Sequence, residues 1–388
     1  MRFILLFYFL FGYSQISLTA QTEDPFSEMQ VSLLTCRNGD ELYTTFGHTA
    51  LRLYNPVTEA DIVYNYGTFD FNTPYFYIKF LRGKLPYKLA DTSMSRFMRA
   101  YQYEERSVIE QKLQLTSAQK ELLVKKLSEN IKPENRFYKY DFFFDNCTTR
   151  TMDLLEDVTG PLTFDNEVKD ITFRGMLKEN LKGLPWSEFG IDLVIGAVAD
   201  QKTTRRNQYF LPIYLHDAIN EATLPTQQPV ATSDRTILNF EARDAERKIP
   251  PTPWPMILAV ALLLIEILLV FLPPSTFKTV YDKVWMWLMA IMGLVMAFMW
   301  FATDHLATKQ NYNLLWANPL FIGYLKLQNT KIKKGLLIAL IIMSIAAMLN
   351  GFVQFLPQYF HPTFSIFALI NVLKLVRSQR LISTANQG

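Results

Sequence analysis

Residues 137–150 read FYKYDFFFDNCTTR, and within this stretch the composition changes from that of a β-strand to that of a helix start. The aromatic run from Phe137 to Phe144 predicts a strand. The cap residue, the apolar positions that follow and the stop at Gly160-Pro161 predict a helix over about residues 148–158. Cys147 therefore lies at the first turn of a helix, where free backbone N–H groups and the helix dipole stabilise a thiolate.

Short segments with strand composition precede this stretch. They are residues 30–35, 47–54 and 62–68, and the segments 76–81, 87–90 and 106–112 predict further strands. A capping box over residues 116–119 starts a helix that ends before Pro133. We therefore predict an α+β domain in which a small antiparallel sheet packs on helices.

His48 lies on the strand predicted over 47–54 and follows Gly47, which allows a close approach of the backbone. A single strand histidine is often structural, but thiol chemistry needs an imidazole within hydrogen-bond reach, so His48 and Cys147 form a candidate reacting pair. Two other interpretations of Cys147 stay open: a small buried side chain, or a disulfide with Cys36. The two cysteines lack the paired spacing of zinc or iron–sulfur sites, so we predict no metal centre and no cofactor.

The two ends of the chain predict export and membrane insertion. Residues 1–20 contain Arg2, an apolar run and small residues up to Ala20, which predicts a signal peptide; an uncleaved anchor is the alternative. A Pro-rich hinge at 249–255 separates residues 21–248 from a membrane domain at 256–376. Apolar runs at 256–272, 285–302 and 335–356 predict spans, and the shorter runs at 314–327 and 363–376 predict tilted or re-entrant helices. The prediction is an α-helical domain of about five spans and a cytoplasmic tail at 377–388.

Charge supports this topology. With residues 21–248 outside, the segments on the cytoplasmic side hold nine Lys and Arg and the outer loops hold only Lys309, as the positive-inside bias requires. Glu266 is the one acid within the first span and is either functional or a structural partner. The segment before the hinge is mildly acidic, which excludes a nucleic-acid partner.

The order of an early strand histidine and a cysteine at a helix start resembles the circularly permuted papain-like fold of the NlpC-like and lecithin:retinol acyltransferase superfamily. Asn146-Cys147 matches the acyltransferase branch, whereas Thr148-Thr149 replaces its Glu-His. More closely, the chain resembles the Lnb family, the lipoprotein N-acyltransferases of Bacteroidota. The matching stretches are residues 33–36 (LLTC), 42–52 (LYTTFGHTALR), 64–71 (YNYGTFDF) and 144–150 (FDNCTTR).

This resemblance implies a periplasmic thiol acyltransferase domain at 21–248, held on the inner membrane by a multi-pass domain. Cys147 and His48 would be the catalytic pair, which disfavours a disulfide because it would consume the nucleophile. Tyr64, Asn65 or Tyr66, on the strand after His48, would orient the imidazole. The implied partners are the bilayer, a phospholipid acyl donor and a diacylated lipoprotein whose N-terminal amine accepts the acyl chain.

Four further residues are candidate substrate-binding residues. They are Asn146, Asp145, Arg150 and Arg52. The two arginines either hold the donor phosphate or pair with Asp145 or Asp153. Backbone N–H groups at the start of the Cys147 helix are the expected oxyanion hole.

Two points stay open at this level. The aromatic residues at 64–77 and 138–144 either line an acyl-binding surface or form a packed core. The alternative function is a membrane-anchored thiol peptidase or amidase acting on cell-wall peptides, because one fold serves both reactions. A non-catalytic membrane scaffold is the third interpretation.

Overall fold

The structure, a computed structural model, describes residues 24–165, 167–247 and 251–385. These residues form an N-terminal domain of sheet and helices (24–247) and a C-terminal helical bundle (251–385). The predicted signal peptide and residues 249–250 of the predicted hinge lie outside the described residues.

In the residues that the structure describes, seven antiparallel strands build the main sheet of the N-terminal domain, and two short strands pair separately. The strands are β1 (Gln30–Cys36), β2 (His48–Asn55), β3 (Ala60–Thr68), β4 (Pro86–Ser93), β5 (Val108–Leu113), β6 (Phe137–Lys139), β7 (Thr163–Phe164), β8 (Ala222–Thr223) and β9 (Ala231–Leu238). The order across the main sheet is β6-β4-β3-β2-β1-β5-β9. The register pairs Cys36 with His48 and Leu51 with Tyr64, so the first residue of β2 lies at the same end of the sheet as the last residue of β1.

Nine helices follow or connect these strands in the described part of the N-terminal domain. They are α1 (Phe76–Leu81), α2 (Met94–Tyr103), α3 (Ser117–Asn130), α4 (Cys147–Thr159), α5 (Phe173–Leu181), α6 (Pro185–Val194), α7 (Arg205–Gln208), α8 (Pro212–Glu221) and α9 (Glu241–Glu246). Helices α3, α4 and α8 pack on the sheet face that carries Leu33 and Leu51, and α2 packs on the opposite face against Leu34 and Ala50. Because β1 and β2 alternate buried side chains on both faces, they form the centre of the core. The predicted α+β architecture is confirmed at this level.

Local sequence signals predicted some elements and misassigned others. The capping box at the start of α3 and a helix beginning at Cys147 are confirmed. The strand predicted over 137–144 is wrong beyond Lys139, because the Asp141 carboxylate accepts hydrogen bonds from the N–H groups of Phe143 and Phe144 and turns the chain toward α4. The strand predicted over 76–81 is also wrong, since this segment is helix α1.

The described part of the C-terminal bundle contains five α-helices. They are α10 (Trp254–Phe271), α11 (Thr276–Phe301), α12 (Leu320–Lys326), α13 (Thr330–Val353) and α14 (Pro362–Ala385). Among the described residues, α10, α11 and α13 are long and apolar enough to cross a membrane, as three of the predicted spans require. The predicted span 363–376 lies within α14, and its crossing stays a prediction.

The segment 314–327 does not form the continuous helix that a simple span requires. It contains the end of a 3₁₀ turn at Tyr312–Leu315 and the seven residues of α12, a helix of only about 10 Å. Its two ends nevertheless contact different regions. The Asn313 side chain donates to the backbone of the N-terminal domain at Asp192, and the Tyr324 hydroxyl contacts Ser378 near the end of α14.

A buried group of charges joins three helices of the bundle. Glu266 on α10 is fully buried and pairs with Lys374 and Arg377 on α14, and both cations also pair with Asp282 on α11. Each of these four charges has a partner of opposite sign. Replacing any one of them would leave a buried charge in the bundle without full compensation. The structure therefore favours the structural interpretation of Glu266.

Backbone hydrogen bonds fix the N-terminal domain on the bundle. Gly196 donates its N–H to the carbonyl of Ala307 at 2.9 Å, and the Asn311 side chain donates to the carbonyl of Leu193 at 2.8 Å. Together with the hydrogen bond of Asn313, these bonds hold the N-terminal domain against the segment that follows α11.

Candidate active site

Asn146 determines how α4 begins. Its Oδ1 accepts hydrogen bonds from the N–H groups of Thr148 (2.8 Å) and Thr149 (3.0 Å), and its Nδ2 donates to the carbonyls of Phe142 (2.8 Å) and Phe210 (2.9 Å). An amide has two acceptor and two donor positions, so no capacity remains for a ligand. This corrects the prediction that Asn146 binds substrate: it is buried and holds the helix start in place.

We expect Asn146→Ala to lower the thermal unfolding midpoint more than Asn55→Ala. Losing the cap costs about 1 kcal/mol, and leaving two buried carbonyls without their donor costs about 1–3 kcal/mol more. Asn55 is the matched control, because its Oδ1 also accepts from two backbone N–H groups but lies in an exposed turn. Circular dichroism of the detergent-solubilised protein measures both midpoints, and equal shifts would contradict this role of Asn146.

The capping of α4 also limits which backbone N–H groups can form the expected oxyanion hole. Two of the first backbone N–H groups, those of Thr148 and Thr149, are already hydrogen-bonded to Asn146. The N–H of Cys147 itself has no hydrogen-bond partner among the residues that the structure describes. It is therefore the donor at this helix start that is free to bind a developing oxyanion.

Cys147, the first residue of α4, packs against the core of the N-terminal domain, and 9% of the residue is exposed. Burial raises the pKa of the Cys147 thiol, but the charge and hydrogen bond of His48 outweigh burial, together with the Thr49 backbone and the Thr148 hydroxyl. The resulting pKa is about 7, below the ordinary value of 9.0. Near neutral pH a large fraction of Cys147 is therefore thiolate, which is the nucleophilic form.

Cys36 differs from Cys147 in each of these respects. It is almost fully buried on the other side of the sheet, and burial raises the pKa of its thiol to about 12. Both cysteines are free thiols. The alternative of a Cys36–Cys147 disulfide is therefore wrong, and Cys36 stays protonated at physiological pH.

Asn65 hydrogen-bonds the imidazole of His48. The Nε2 atom of His48 lies 3.2 Å from Oδ1 of Asn65, and the amide nitrogen of Asn65 donates to the carbonyl of Val63 at 3.3 Å. Because the amide nitrogen is used, the oxygen faces the ring and accepts from Nε2–H, which leaves Nδ1 to take a proton from Cys147. Tyr64 packs instead against the core. Tyr66, the third candidate, accepts a hydrogen bond from Asn130 instead, so the structure brings Asn65 to His48.

Arg52 does not lie at this site. It forms a bidentate pair with Asp61 (2.7 Å for both bonds) and donates to Glu110 at 2.7 Å. It is four residues along β2 from His48, about 13 Å in an extended strand. The structure therefore argues against the prediction that Arg52 binds substrate, because its donors are engaged by Asp61 on the neighbouring strand β3 and by Glu110 on β5, two strands away.

Arg150 and Asp145 stay close to Cys147 and pair with each other. The guanidinium donates through Nε and Nη2 to the two carboxylate oxygens and lies over the ring of Tyr138, 3.6 Å from its centroid. This pairing was one of the two alternatives for Arg150. About a third of the Arg150 side chain is exposed, so binding of a phosphate there stays a prediction.

Gly67, which the sequence analysis did not single out, borders Cys147 together with Tyr138 and Tyr140 of the aromatic segment 138–144. The backbone at Gly67 passes so close that an added Cβ would lie 3.4 Å from Cβ of Cys147, 3.5 Å from the ring of Tyr140 and 3.7 Å from the hydroxyl of Tyr138. Gly67 has φ +81°, a conformation that favours glycine. A glycine inside a predicted strand marks a place where another group approaches the backbone closely. This signal could have identified Gly67 as a residue that borders the thiol.

We expect Gly67→Ala to destabilise the N-terminal domain and to slow alkylation of Cys147. The positive φ costs an L residue about 1–2 kcal/mol. The new methyl group also contacts Cys147 and the residues around its thiol. Gly190→Ala is the control, because no atom lies within 4 Å of its added Cβ. The unfolding midpoint and the iodoacetamide rate measure both effects, and a Gly67→Ala protein indistinguishable from Gly190→Ala would contradict them.

One other group of side chains has the composition of a metal site. The ligand atoms of Glu188, Asp192 and His361 lie within 4.8 Å of one another. Arg174 donates to Asp192, however, and the ammonium of Lys178 lies 3.6 Å from Glu188. Since two cations already neutralise the acids, this arrangement does not favour a divalent ion.

Two family models match the chain. The first, described as the Lnb N-terminal periplasmic domain, matches residues 19–179 and covers His48, Asn65 and Cys147. The second, described as the Lnb transmembrane domain, matches residues 245–386 and covers the bundle. No curated protein and no solved structure matches the chain.

Proposed function

The chain belongs to the Lnb family, with a periplasmic domain followed by a membrane domain, and from this premise we propose that it is a lipoprotein N-acyltransferase. It moves an acyl chain from a phospholipid to the N-terminal amine of a diacylated lipoprotein, in the periplasmic leaflet of the inner membrane. The observation that carries the proposal is the Cys147 thiol at a helix start, with a pKa lowered to about 7 beside His48.

The first half of the reaction forms a thioester. Nδ1 of His48 takes the proton of Cys147, and Sγ attacks the carbonyl carbon of a phospholipid ester. The oxyanion that develops accepts a hydrogen bond from the Cys147 N–H. When the carbon–oxygen bond of the ester breaks, the imidazolium returns its proton to the leaving oxygen. The lysophospholipid departs and the acyl chain stays on Cys147.

The second half transfers the chain to an amine. The N-terminal nitrogen of the lipoprotein attacks the thioester carbon, and His48 takes a proton from this nitrogen. The carbon–sulfur bond then breaks, which releases an amide and regenerates Cys147. Both substrates are anchored in one membrane, so a domain docked on the bundle meets them without extraction from the bilayer.

A reconstituted reaction tests this function. The full-length protein in vesicles of acyl-labelled phospholipid is mixed with a synthetic diacylated lipopeptide, and mass spectrometry follows the N-terminal residue. We expect one amide-linked acyl chain to appear, with a hydroxylamine-sensitive acyl group on Cys147 as intermediate. An unchanged lipopeptide together with cleaved cell-wall stem peptides would contradict the proposal and support a thiol amidase.

A further inference from the structure

Helix α1 leaves its apolar side chains uncovered. None of its residues is buried, and Tyr77 and Ile78 are 80% and 58% exposed. Tyr75, its N-cap residue, is 78% exposed and has a positive φ of 59°. Clustered exposed apolar side chains of this kind mark a surface that meets a partner or a membrane.

The position of α1 in the structure identifies what covers it. The His305 ring contacts the carbonyl of Phe80 (2.9 Å), and the N–H of Asp304 donates to the carbonyl of Arg82 (3.0 Å). Asp304 follows the end of α11 by three residues, and α11 is one of the helices that can cross the membrane. Helix α1 is therefore held at the level where this span ends, which is the interface of the bilayer.

The charges around α1 fit the same surroundings. Lys79, Arg82 and Lys84 lie on or directly after the helix, and residues 74–84 contain no acid. A short segment with exposed aromatic residues and basic residues is typical of chains that lie in the headgroup region of anionic membranes. This complementarity favours lipid over a protein partner as the occupant.

A continuous row of aromatic rings leads from α1 to the thiol. Successive ring centroids are 6.2 Å apart for Phe80 and Phe76, 5.8 Å for Phe76 and Phe69, 5.4 Å for Phe69 and Tyr87, and 4.3 Å for Tyr87 and Tyr140. The last ring, Tyr140, borders Gly67 beside Cys147. We call these five rings the aromatic row.

One cleft in the described residues lies away from the thiol. Its volume is about 700 Å³, and it is lined by charged side chains that include Asp40, Arg243 and Arg247 but neither Cys147 nor His48. A charged cleft does not suit a hydrocarbon chain. The aromatic row, by contrast, offers a path of apolar contacts between the bilayer level and the thiol.

We propose that α1 lies in the outer interface of the bilayer and that the aromatic row guides the acyl chain of the donor phospholipid from the membrane to Cys147. This inference rests on the proposed function and assigns the donor path within it. The acyl chain exchanges contacts with lipid tails for contacts with the rings of the aromatic row. The ester of the phospholipid therefore reaches the thiol without crossing water.

The first experiment measures the membrane position of α1. A spin label is placed at Tyr77→Cys in a Cys147→Ser protein, reconstituted in vesicles of phosphatidylethanolamine and phosphatidylglycerol. The control label is at Val57→Cys, because Val57 is 74% exposed at the opposite end of β2 from His48. We expect greater access to oxygen than to a water-soluble nickel complex at 77 and the reverse at 57. Greater nickel access at 77 would overturn the membrane position.

The second experiment tests the path. The double variant Phe76→Ser/Phe80→Ser and the control Val57→Ser are compared for acylation of Cys147 by vesicle phospholipid and by p-nitrophenyl acetate, a short soluble ester. We expect the ratio of the phospholipid rate to the acetate rate to fall about tenfold or more in the double variant and to stay constant in the control. An unchanged ratio, with both rates equal to or equally below those of the parent, would overturn the path.

The two experiments separate this inference from the proposed function. If the unaltered protein forms no acyl group on Cys147 from any phospholipid, the acyltransferase proposal fails, and the spin-label experiment still tests the position of α1. If acylation occurs but the ratio is insensitive to Phe76 and Phe80, only the path fails.

Discussion

Cys147→Ser is expected to reduce acyl transfer by at least about a thousandfold, the loss typical when a covalent nucleophile is removed. Serine is close to cysteine in size, and the capping of α4 uses Asn146 and not the thiol, so the site keeps its shape. A hydroxyl, however, is not ionised near neutral pH by one imidazole as a thiol is. The lipopeptide reaction in vesicles measures the loss, and the hydroxylamine-sensitive acyl group should be absent.

Cys36→Ala is the matched control for this result. Cys36 is the other free thiol, lies in a different core cluster and has a pKa raised by burial to about 12. We expect the control to lose some stability through a small cavity, but to keep both the acyl intermediate and transfer. Full transfer by Cys147→Ser, or loss of the intermediate in Cys36→Ala alone, would show that the thioester forms on a different residue.

His48→Gln is expected to remove the activation of the thiol. In the unaltered protein, alkylation by iodoacetamide should rise with pH through a midpoint of about 7, because the thiolate forms as pH rises through the pKa of Cys147. Without His48, burial dominates and the pKa rises to the ordinary value of 9.0 or above. At pH 7 the thiolate fraction, and with it the alkylation rate, should fall by about 50-fold or more. Transfer should fall further, since no base remains for the incoming amine.

Stopped alkylation followed by intact-protein mass spectrometry measures this midpoint between pH 5 and 10. Glutamine retains an amide donor for Asn65 but cannot carry the imidazolium charge, so the variant isolates the electrostatic effect of His48. An alkylation midpoint that stays near 7 in His48→Gln would mean that the helix start alone lowers the pKa of Cys147.

The pairing of Cys147 with His48 could be predicted from sequence because each residue has a local signal. Asn146, a typical helix-cap residue, directly precedes Cys147, and Gly47 directly precedes His48. Each of these signals can be recognised within one strand or one helix. The full set of contacts of Asn146 and Arg52 could not be predicted because one partner of each comes from a distant segment: Phe210 lies in a loop before α8, and Glu110 lies on β5. Composition indicates that such side chains are polar but not whether the fold has already used their hydrogen bonds.

The membrane domain shows the same limit. Long apolar runs identified α10, α11 and α13, because hydrophobic length alone decides whether a helix can cross a bilayer. Helix α1 was not predicted correctly, and of the two alternatives for 314–327 the broken segment is compatible with a re-entrant one. Aromatic residues favour strands only where a pleated sheet receives them, and in α1 the rings of Phe76 and Phe80 stack on each other at helical spacing.

The buried charges of the bundle bear on how the protein is made. Arg377 follows its partner Glu266 by 111 residues, so α10 reaches the translocon while both of the cations that neutralise it are still unsynthesised. The carboxylate gains its counterions only when the last helix is made, so the final packing of α10 depends on completion of the chain. A chain that stops short of α14 would leave Glu266 without both of the cations that pair with it in the bundle.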